Sequence, residues 1–583
     1  MAKWVVSGKK CDFKGIGDRI GIDQVVVRLL RNRDICDEEQ MKRFLNPSVE
    51  DEHEYYMLKD MDDAVNITLD KIDEQAKIRV IGDYDVDGIM STYILWKGLS
   101  SLGADVDTVI PHRVKDGYGI SEALIDEAAG DGIDMIITCD NGIAAAKAFE
   151  HATDLGITCV ITDHHEIPYE EDSGVRRYII PKVAAVVDPK REDCEYPYKN
   201  ICGAVVAFRF VQALFDAVGM EEEVLEELKT MAGFATVCDV MELRDENRYL
   251  VCNALTSLAI GLNVGMRALI KVCGLEGKGL TAYSIGFVLG PCINATGRLD
   301  SADLSLQLLQ CEHIEDALVI ATRLKELNES RKALTQEGLE KAAACIREED
   351  KVLVVYIPEL HESLAGIVAG RIRERYYKPV FVVTRGEKEL KGSARSIPGY
   401  HIYDAMSEIK DVFTKYGGHA MAAGFSLEED RLEEFRKRIN DNCSLSDEDF
   451  EEKIVIDVPM PMSYVSEKLI GQIGRMEPFG NGNEKPVFAQ KNVHFLSGKL
   501  MGKNNNMARF AVRCDDGFAS EMVMFRNLEA FAEYIDSKYS KGTYDKLMNS
   551  HITEDIALDV IYYPSINEYM GKSSIQFILN DYK

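Results

Sequence analysis

Residues 78–88 read IRVIGDYDVDG, a short, mostly apolar run that ends in a turn with three carboxylates. The run predicts a buried strand, and Asp83, Asp85 and Asp87 follow it directly. Alternate residues of an extended chain point the same way, so the three side chains converge on one side. Converging carboxylates repel each other unless a cation lies between them. The stretch therefore predicts a strand with a cation site at its carboxyl end.

An EF-hand calcium loop is the main alternative for this string, because such a loop also begins DxDxDG. Its twelfth position would be Ile94, where an EF-hand requires glutamate. A strand also precedes the motif, where an EF-hand has a helix. We therefore favour a site at the end of a strand.

Similar apolar runs recur along the following hundred residues, and each is followed by a turn and a segment of helical spacing. Buried parallel strands have this pattern, and right-handed βαβ crossovers join them. The helical segments 121–132 and 144–156 end in glycine, as helix C-termini prefer. The predicted fold class is thus α/β, with an open parallel sheet. The runs are IRVIGDYD (78–85), VDTVIPHR (106–113), DMIITCDN (134–141), TCVITDHH (158–165) and AAVVDP (184–189).

Downstream of this lobe the pattern changes three times. Residues 301–349 are rich in Leu, Ala, Glu and Lys and lack proline, which predicts one long helix. A second α/β unit starts at residue 351, and short alternating segments from residue 454 on predict a β domain of OB-barrel type. The predicted regions are an N-terminal helical region (1–70), a catalytic α/β domain (71–300), a helical linker (301–347), a smaller α/β domain (348–445) and an OB-like β domain (450–583).

Composition narrows the class of protein. A chain of 583 residues exceeds what one core supports, so several domains are expected. The net charge of −30 speaks against a protein that coats nucleic acid, so any nucleic-acid site must be a local basic patch. The 14 cysteines include no CxxC pair, which favours reduced thiols. No apolar stretch approaches about 20 residues and the start lacks a secretion signal, so we expect no membrane association and a cytoplasmic location.

Two more strand ends carry acids and histidines. Asp140 follows one predicted strand, and Asp163, His164 and His165 follow the next. Alone, Asp140 would be assigned to a turn and Asp163 to a helix cap. In open α/β sheets, however, ligands gather outside the carboxyl ends of the strands. Three neighbouring strand ends with such residues predict a single metal site.

Four ordered motifs resemble those of the DHH phosphoesterase family: DYDVDG (83–88), TCDNG (138–142), TDHH (162–165) and TVCDVMEL (236–243). The resemblance adds Asp239, which alone would be interpreted as a capping residue. It implies two bound Mn²⁺ or Mg²⁺ ions and hydrolysis of a phosphodiester; an imidazole ligand favours Mn²⁺. The implied ligands are Asp83, Asp85 and Asp140 for one ion and Asp87, Asp140, His164 and Asp239 for the other, with His165 on the scissile phosphate and Asp163 orienting the histidines.

The resemblance covers about residues 75–495 and is specific to the RecJ exonucleases. It implies a DHH catalytic domain, a DHH-associated domain and a trailing OB-type domain that small-molecule relatives usually lack. The motifs that carry it are GPCINATGRLD (290–300), LHESLAGIVAGRI (360–372), LKGSARSIPGYHIYDAM (390–406), KYGGHAMAAGF (415–425) and EPFGNGNEKPVF (477–488).

The resemblance also implies which residues bind the nucleic acid. Small residues in GSARS and YGGHAMAAG allow backbone N–H groups to approach an anion. Arg113, Ser393 and Arg395 would form a pocket for a 5′-phosphate, and Tyr118 would stack a base. The implied contacts are Arg113, Tyr118, Asn294, Arg298, Ser393, Arg395, Ser396 and His419.

Two motifs depart from the RecJ pattern. Cys292 stands where GPRxNAxGR has its first arginine, and LHES replaces the usual WHEG at residues 360–363. One contact with the strand is therefore expected to be weaker or to be made by another residue.

The resulting hypothesis is a metal-dependent 5′–3′ exonuclease acting on single-stranded DNA in repair and recombination, with a single-strand-binding protein and a helicase as candidate partners. The first alternative is a DHH phosphodiesterase that acts on short RNA oligonucleotides or single-stranded RNA. The second is an inactive replication scaffold, which the presence of every implied metal ligand disfavours.

Overall fold

The computed structural model describes residues 2–112, 119–172, 175–220, 223–502, 505–549, 555–569 and 571–583. Contacts divide the chain into two compact units. One unit combines Met1–Asn46 with Glu451–Lys583, and the other is Pro47–Phe450.

The helices and strands are numbered along the described part of the chain. The strands are β1 (Lys3–Val6), β2 (Lys77–Ile81), β3 (Asp105–Val109), β4 (Met135–Cys139), β5 (Thr158–Thr162), β6 (Tyr169–Asp172), β7 (Val175–Tyr178), β8 (Ala185–Val187), β9 (Leu353–Tyr356), β10 (Val380–Arg385), β11 (Leu390–Arg395), β12 (Lys415–Gly418), β13 (Ala422–Leu427), β14 (Lys453–Ile456), β15 (Val458–Pro459), β16 (Phe488–Met501), β17 (Met507–Cys514), β18 (Ala519–Met524), β19 (Ile556–Tyr569) and β20 (Lys572–Tyr582). The α-helices are α1 (Phe13–Ile20), α2 (Gln24–Asn32), α3 (Glu38–Leu45), α4 (Met61–Asp73), α5 (Val86–Ser101), α6 (Glu122–Gly130), α7 (Ala146–Asp154), α8 (Gly203–Val218), α9 (Glu223–Cys238), α10 (Asp245–Ile260), α11 (Val264–Val272), α12 (Gly290–Leu299), α13 (Asp303–Gln310), α14 (Ile314–Cys345), α15 (Ala365–Tyr376), α16 (Ile402–Ser407), α17 (Leu432–Asp441), α18 (Glu467–Gly474), α19 (Leu528–Lys538) and α20 (Thr543–Met548); a π-helix, Ser284–Leu289, precedes α12.

The first lobe is built on a parallel sheet of five strands in the order β3-β2-β4-β5-β8. Successive side chains of each strand point to opposite faces, and both faces are covered by helices. Ile78 and Val80 pack in the core that includes α5 and α8, whereas Ile81 packs in the core that includes α6 and α7. This arrangement confirms the predicted α/β fold class and the positions of the predicted strands.

The stretch predicted as one long helix, residues 301–349, consists of two helices, α13 and α14. The chain turns at Cys311–His313, where His313 has extended backbone angles and Asn263 Nδ2 donates to the carbonyl of Leu309 near the end of α13. The turn allows Leu308 of α13 and Ala317 of α14 to enter the same core. The prediction of a single helix was therefore wrong, although α14 does join the two lobes and packs on α15 and β9.

The second lobe has a mixed five-stranded sheet in the order β12-β13-β11-β10-β9. Only β9 and β10 pair in parallel; the hairpin β12–β13 and strand β11 extend the sheet antiparallel. Val368 of α15 belongs to the core on one face, and Phe435 of α17 belongs to the core on the other. The second α/β unit is thus present as predicted.

In the other unit, strands β16, β17, β18, β20 and β19 form a closed barrel, because β19 also pairs with β16. This arrangement confirms the predicted OB-like β fold. Strand β1 pairs with β14, and Val26 and Leu29 of α2 are buried in the same core as Phe510 of β17. The predicted N-terminal region, residues 1–70, is therefore divided: its first 46 residues pack with the barrel, and α4 packs in the first lobe.

Within the described residues, no single helix combines the length and apolarity needed to cross a membrane. The pair α10 and α11 passes that test together, but the two helices are bent by 81° relative to each other.

Candidate metal centre

The carboxyl ends of three adjacent strands place the predicted acids side by side. Asp83, Asp140 and Asp163 come shortly after β2, β4 and β5, which are neighbours in the sheet. Asp140 has φ 58°, which turns the chain away from the strand. A Cβ at Gly203 would lie 2.7 Å from the Asp140 Cβ, so only glycine permits α8 to begin this close to Asp140.

Backbone amides at two helix N-termini fix two further carboxylates. Asp85 caps α5 and accepts hydrogen bonds from the amides of Asp87 (2.9 Å) and Gly88 (3.2 Å). Asp87 accepts from the first amides of α8, Gly203 (2.7 Å) and Ala204 (2.9 Å). Helix N-termini favour negative charge, so these amides hold the carboxylates in place while leaving other oxygen lone pairs for a cation.

His164 stands at the centre of the acidic cluster. Its Nε2 atom lies 3.0 Å from an Asp140 oxygen, 3.5 Å from an Asp87 oxygen and 3.9 Å from an Asp239 oxygen. The last contact brings the end of α9 to the sheet. Among the described residues, three groups have ligand atoms within 4.8 Å of one another: Asp83, Asp85 and Asp140; Asp87, His164 and Asp239; and Asp140, His164 and His165. The first two groups together offer five carboxylates and one imidazole, a set that suits Mn²⁺ and Mg²⁺.

The carboxylates of this cluster are buried and repel one another. Burial raises the pKa of Asp140 well above its usual range, and the nearby Asp87 and Asp85 raise it further. For the same reasons the pKa of Asp239 rises to about 8. Burial likewise lowers the pKa of the His164 imidazole and favours its neutral, ligating form. A divalent cation would remove the repulsion that these shifts record.

Asp163 and His165 form a hydrogen-bonded pair beside the cluster. The Asp163 carboxylate accepts from His165 Nδ1 (2.7 Å) and from the amides of His164 (2.8 Å) and Ile143 (2.9 Å). Burial alone would lower the pKa of His165, but the bond to Asp163 outweighs it and raises the pKa to about 9. The raised pKa favours the protonated form of His165, whose ring lies at the acidic cluster.

Sequence reasoning missed a second acid behind this pair, Asp188, which follows β8. Burial, together with the nearby Asp163, raises the pKa of Asp188 to about 8. The run AAVVDP contains this residue at a strand end, which is the signal that could have drawn attention to it.

A cleft of about 1000 Å³ lies between the two lobes. Tyr84 and Arg298 line it from the first lobe, and Ser393 and Arg395 line it from β11. Arg298 donates to the carbonyl of Ser363 (2.7 Å), while Arg395 Nη1 lies 3.3 Å from the Ser393 hydroxyl. Tyr84, a residue that sequence reasoning missed, stands in the chain between Asp83 and Asp85.

The other residues implied to bind nucleic acid are more scattered. Ser396 is fully buried, and its hydroxyl donates to the carbonyl of Tyr400, so it does not face the cleft. His419 is exposed on the loop between β12 and β13, and Asn294 is half-buried on α12. Arg113 and Tyr118, which were also predicted to bind the nucleic acid, lie outside the described residues.

Cys292, the departure from the RecJ pattern, is buried and does not face the cleft. Its Sγ atom lies 3.9 Å from that of Cys273 and accepts from the Asn328 side chain (3.4 Å). Asn328 Oδ1 in turn accepts from Arg331 (3.0 Å). The thiol is therefore part of the packing between α12 and α14.

Comparison with known protein families and relatives agrees with this architecture. Three family models match: the DHH family N-terminal domain at residues 77–236, the DHHA1 domain at residues 349–445 and the RecJ OB domain at residues 456–581. The single-stranded-DNA-specific exonuclease RecJ of Salmonella typhimurium is 32% identical over 92% of this chain and 93% of that protein. The chain belongs to the RecJ family.

Other RecJ proteins match over different shares of their length. RecJ of Escherichia coli is 33% identical over 82% of this chain and 85% of that protein. RecJ of Bacillus subtilis is 32% identical over 88% of this chain, which corresponds to 64% of the length of that relative.

Solved RecJ structures have the same fold. The structure of RecJ from Thermus thermophilus in complex with Mn²⁺ matches with a TM-score of 0.82 at 24% identity. The match spans 100% of this chain and 79% of the Thermus chain. A second structure, of exonuclease RecJ bound to manganese, covers 66% of this chain with a TM-score of 0.58 at 33% identity.

Proposed function

We propose that this chain is a metal-dependent exonuclease that degrades single-stranded DNA from its 5′ end. The observation that carries the proposal is the grouping of all six predicted ligands at adjacent strand and helix ends in a member of the RecJ family. Curated relatives of that family bear the name single-stranded-DNA-specific exonuclease. Phosphodiester hydrolysis is the reaction for which such a cluster is suited.

The proposed roles of the ligands follow from the two groups that share the centre. Asp83, Asp85 and Asp140 would hold one Mn²⁺ or Mg²⁺ ion, and Asp140 would also serve the other with Asp87, His164 and Asp239. When bound, the two ions activate a water molecule and neutralise charge on the reacting phosphate. Asp140 offers an oxygen within 4.8 Å of the ligand atoms of Asp83 and Asp85, and it is grouped in the same way with His164 of the other set. This geometry supports a shared role for Asp140.

His165 and Asp163 are proposed to act on the substrate side. His165 donates to Asp163 through Nδ1, so its Nε2–H can donate to a non-bridging phosphate oxygen. Asp163 acts through His165 and positions it. The charge on His165 is favourable there because the reacting phosphate gains negative charge.

A substrate panel tests the proposed activity. Single-stranded DNA, the same sequence as a duplex and short RNA oligonucleotides are incubated with Mn²⁺ or with EDTA. We expect degradation of the single strand with Mn²⁺ and none with EDTA. Preference for short RNA would favour the alternative phosphodiesterase, and inactivity on every substrate would favour the scaffold.

Binding of Mn²⁺ is expected to stabilise the fold, and more so at higher pH. Without a cation, folded Asp239 keeps a proton up to about pH 8 that the unfolded chain releases near pH 4, so stability falls as the pH rises across that window. A cation displaces the proton. At about 100 times its Kd, Mn²⁺ bound at one site should raise Tm by about 3 °C, measured by thermal melts at pH 6 and pH 8.5.

The Asp140→Asn variant is the control for this shift, since it lacks the shared ligand and should show a smaller increase in Tm. An unchanged Tm, or an increase that shrinks as the pH rises, would contradict the metal assignment.

Removal of the unit that contains the barrel should weaken binding of long strands. Since residues 1–46 share the core of this unit, deleting residues 451–583 alone would expose α2, and the suitable fragment is residues 47–450. OB barrels contribute stacking at about 1–3 kcal/mol per base, so the Kd for a long strand should rise at least about tenfold. Cleavage of a trinucleotide should change little. Equal losses on both substrates would show that the unit only supports the fold.

A helicase and a single-strand-binding protein remain the predicted partners, because an enzyme that needs a single strand depends on proteins that separate and cover strands. The cytoplasmic location also remains a prediction.

A further inference from the structure

Two large aromatic rings are exposed side by side on the surface of the first lobe. Tyr283 is 62% exposed and Phe287 is 66% exposed. Their rings are stacked, with centroids 5.0 Å apart and planes at 20°. The outer ring faces are available to a further flat, apolar group. Neither side chain is part of a hydrophobic core, so core packing does not account for two large aromatic residues at these positions.

Phe287 lies in the π-helix Ser284–Leu289 and Tyr283 directly precedes it; the π-helix continues into α12. This helix packs closely on the last turn of α9: a Cβ at Gly290 would lie 2.6 Å from Cys238 Sγ, and one at Gly286 would lie 3.6 Å from a methyl group of Val237. Asp239 follows that turn. π-Helical turns are rare and occur frequently at functional sites.

One edge of the same helix connects the rings with the cleft. After Phe287, Pro291, Asn294 and Arg298 are half-buried and have helical spacing; Val288, Gly297 and Leu299 are half-buried as well. Arg298 lines the cleft between the lobes. The edge from Tyr283 to Arg298 is about 20 Å long. It leads from the cleft beside the metal ligands to the aromatic pair.

We propose that Tyr283 and Phe287 form a stacking platform for bases of the single strand, several nucleotides from the scissile phosphate. This inference rests on the proposed function. At a stacked spacing of about 3.4 Å per nucleotide, the edge spans at most about six nucleotides. The rings bind any base, because every base has a π-face.

The charge of the chain favours stacking as the mode of contact. With a net charge of −30, the protein attracts a polyanion only at local basic positions such as Arg298. Contacts between rings and bases add an attraction that does not depend on basic residues. Because the edge of the helix leads from the rings to the cleft, we assign the rings to the nucleic-acid strand in preference to a protein partner.

The test compares substrate lengths in the full-length chain with Mn²⁺. Phe287→Ala and Tyr283→Ala should each raise KM for a strand of about 20 nucleotides by roughly 5- to 150-fold, the range for loss of one stacked base. A trinucleotide ends before the rings, so its kcat/KM should change by less than about twofold. Phe287→Trp should retain the wild-type KM. Tyr56→Ala removes a ring that is equally exposed, 61%, and should leave both substrates unaffected.

Abasic nucleotides separate stacking from a structural effect. A long strand without bases about four to seven nucleotides from its 5′ end should bind the wild type at least as weakly as the intact strand binds Phe287→Ala, and the variant should add no further loss. Equal loss on long and short substrates, or an additive loss on the abasic strand, would overturn the platform. Absence of Mn²⁺-dependent hydrolysis in the wild type would instead overturn the proposed function.

Discussion

Asp140→Asn is expected to reduce Mn²⁺-dependent nuclease activity by about 10³-fold or more. The change removes one charge from the residue proposed to bind both ions, and a loss of roughly 4 kcal/mol of charge stabilisation corresponds to that factor. Asparagine is the informative replacement because Asp140 has φ 58°, a conformation that asparagine tolerates better than alanine. The measurement is kcat/KM on a long single strand with saturating Mn²⁺.

Asp34→Asn provides the matched control for this variant. Asp34 also has a positive φ, of 64°, but lies exposed in the other unit. This control should keep wild-type activity, and both variants should keep wild-type circular dichroism. Near-wild-type activity of Asp140→Asn would show that the two groups of ligands do not work through a shared residue.

Arg395→Ala is expected to slow digestion of 5′-phosphorylated strands by roughly 10- to 150-fold, and digestion of 5′-hydroxyl strands far less. Arg395 lines the cleft beside Ser393, where a guanidinium and a hydroxyl can bind a terminal phosphate. The factor corresponds to one lost charge-assisted hydrogen bond of about 1.5–3 kcal/mol. The measurement is the ratio of kcat/KM for the two 5′ ends.

Arg385→Ala is the control, because Arg385 ends the neighbouring strand β10, is exposed and pairs with Glu429. It should leave the ratio of the two rates unchanged. If Arg395→Ala loses the same factor on both ends, Arg395 binds the strand but does not recognise its end.

The first lobe and most of its acids could be predicted from the sequence because strand ends carry a local signal. Asp83, Asp140 and Asp163 each follow an apolar run, and parallel strands bring such positions to one edge of the sheet. Asp239 has no such signal, since it follows a helix far along the chain. Only the family resemblance identified it, and the fold brings it within 3.9 Å of His164.

Other features depend on long-range packing or on side-chain direction. The residues at the turn between α13 and α14 do not differ in composition from the helices around them, so no local sequence pattern predicts the turn. The buried position of Ser396 could have been predicted from the alternation of side chains along β11. Ser393 and Arg395 share one face of the strand, so Ser396, the next residue, points to the opposite face. The stacked pair Tyr283–Phe287 could not be recognised because a helical pattern does not state which aromatic residues stay exposed.

The most direct test of the central claim is a time course on a single strand labelled at either its 5′ or its 3′ end, with Mn²⁺. A 5′–3′ exonuclease releases the 5′ label at once as the smallest product, whereas the 3′-labelled strand shortens progressively; EDTA stops both. Early release of the 3′ label, or shortened fragments that still carry the 5′ label, would contradict the account.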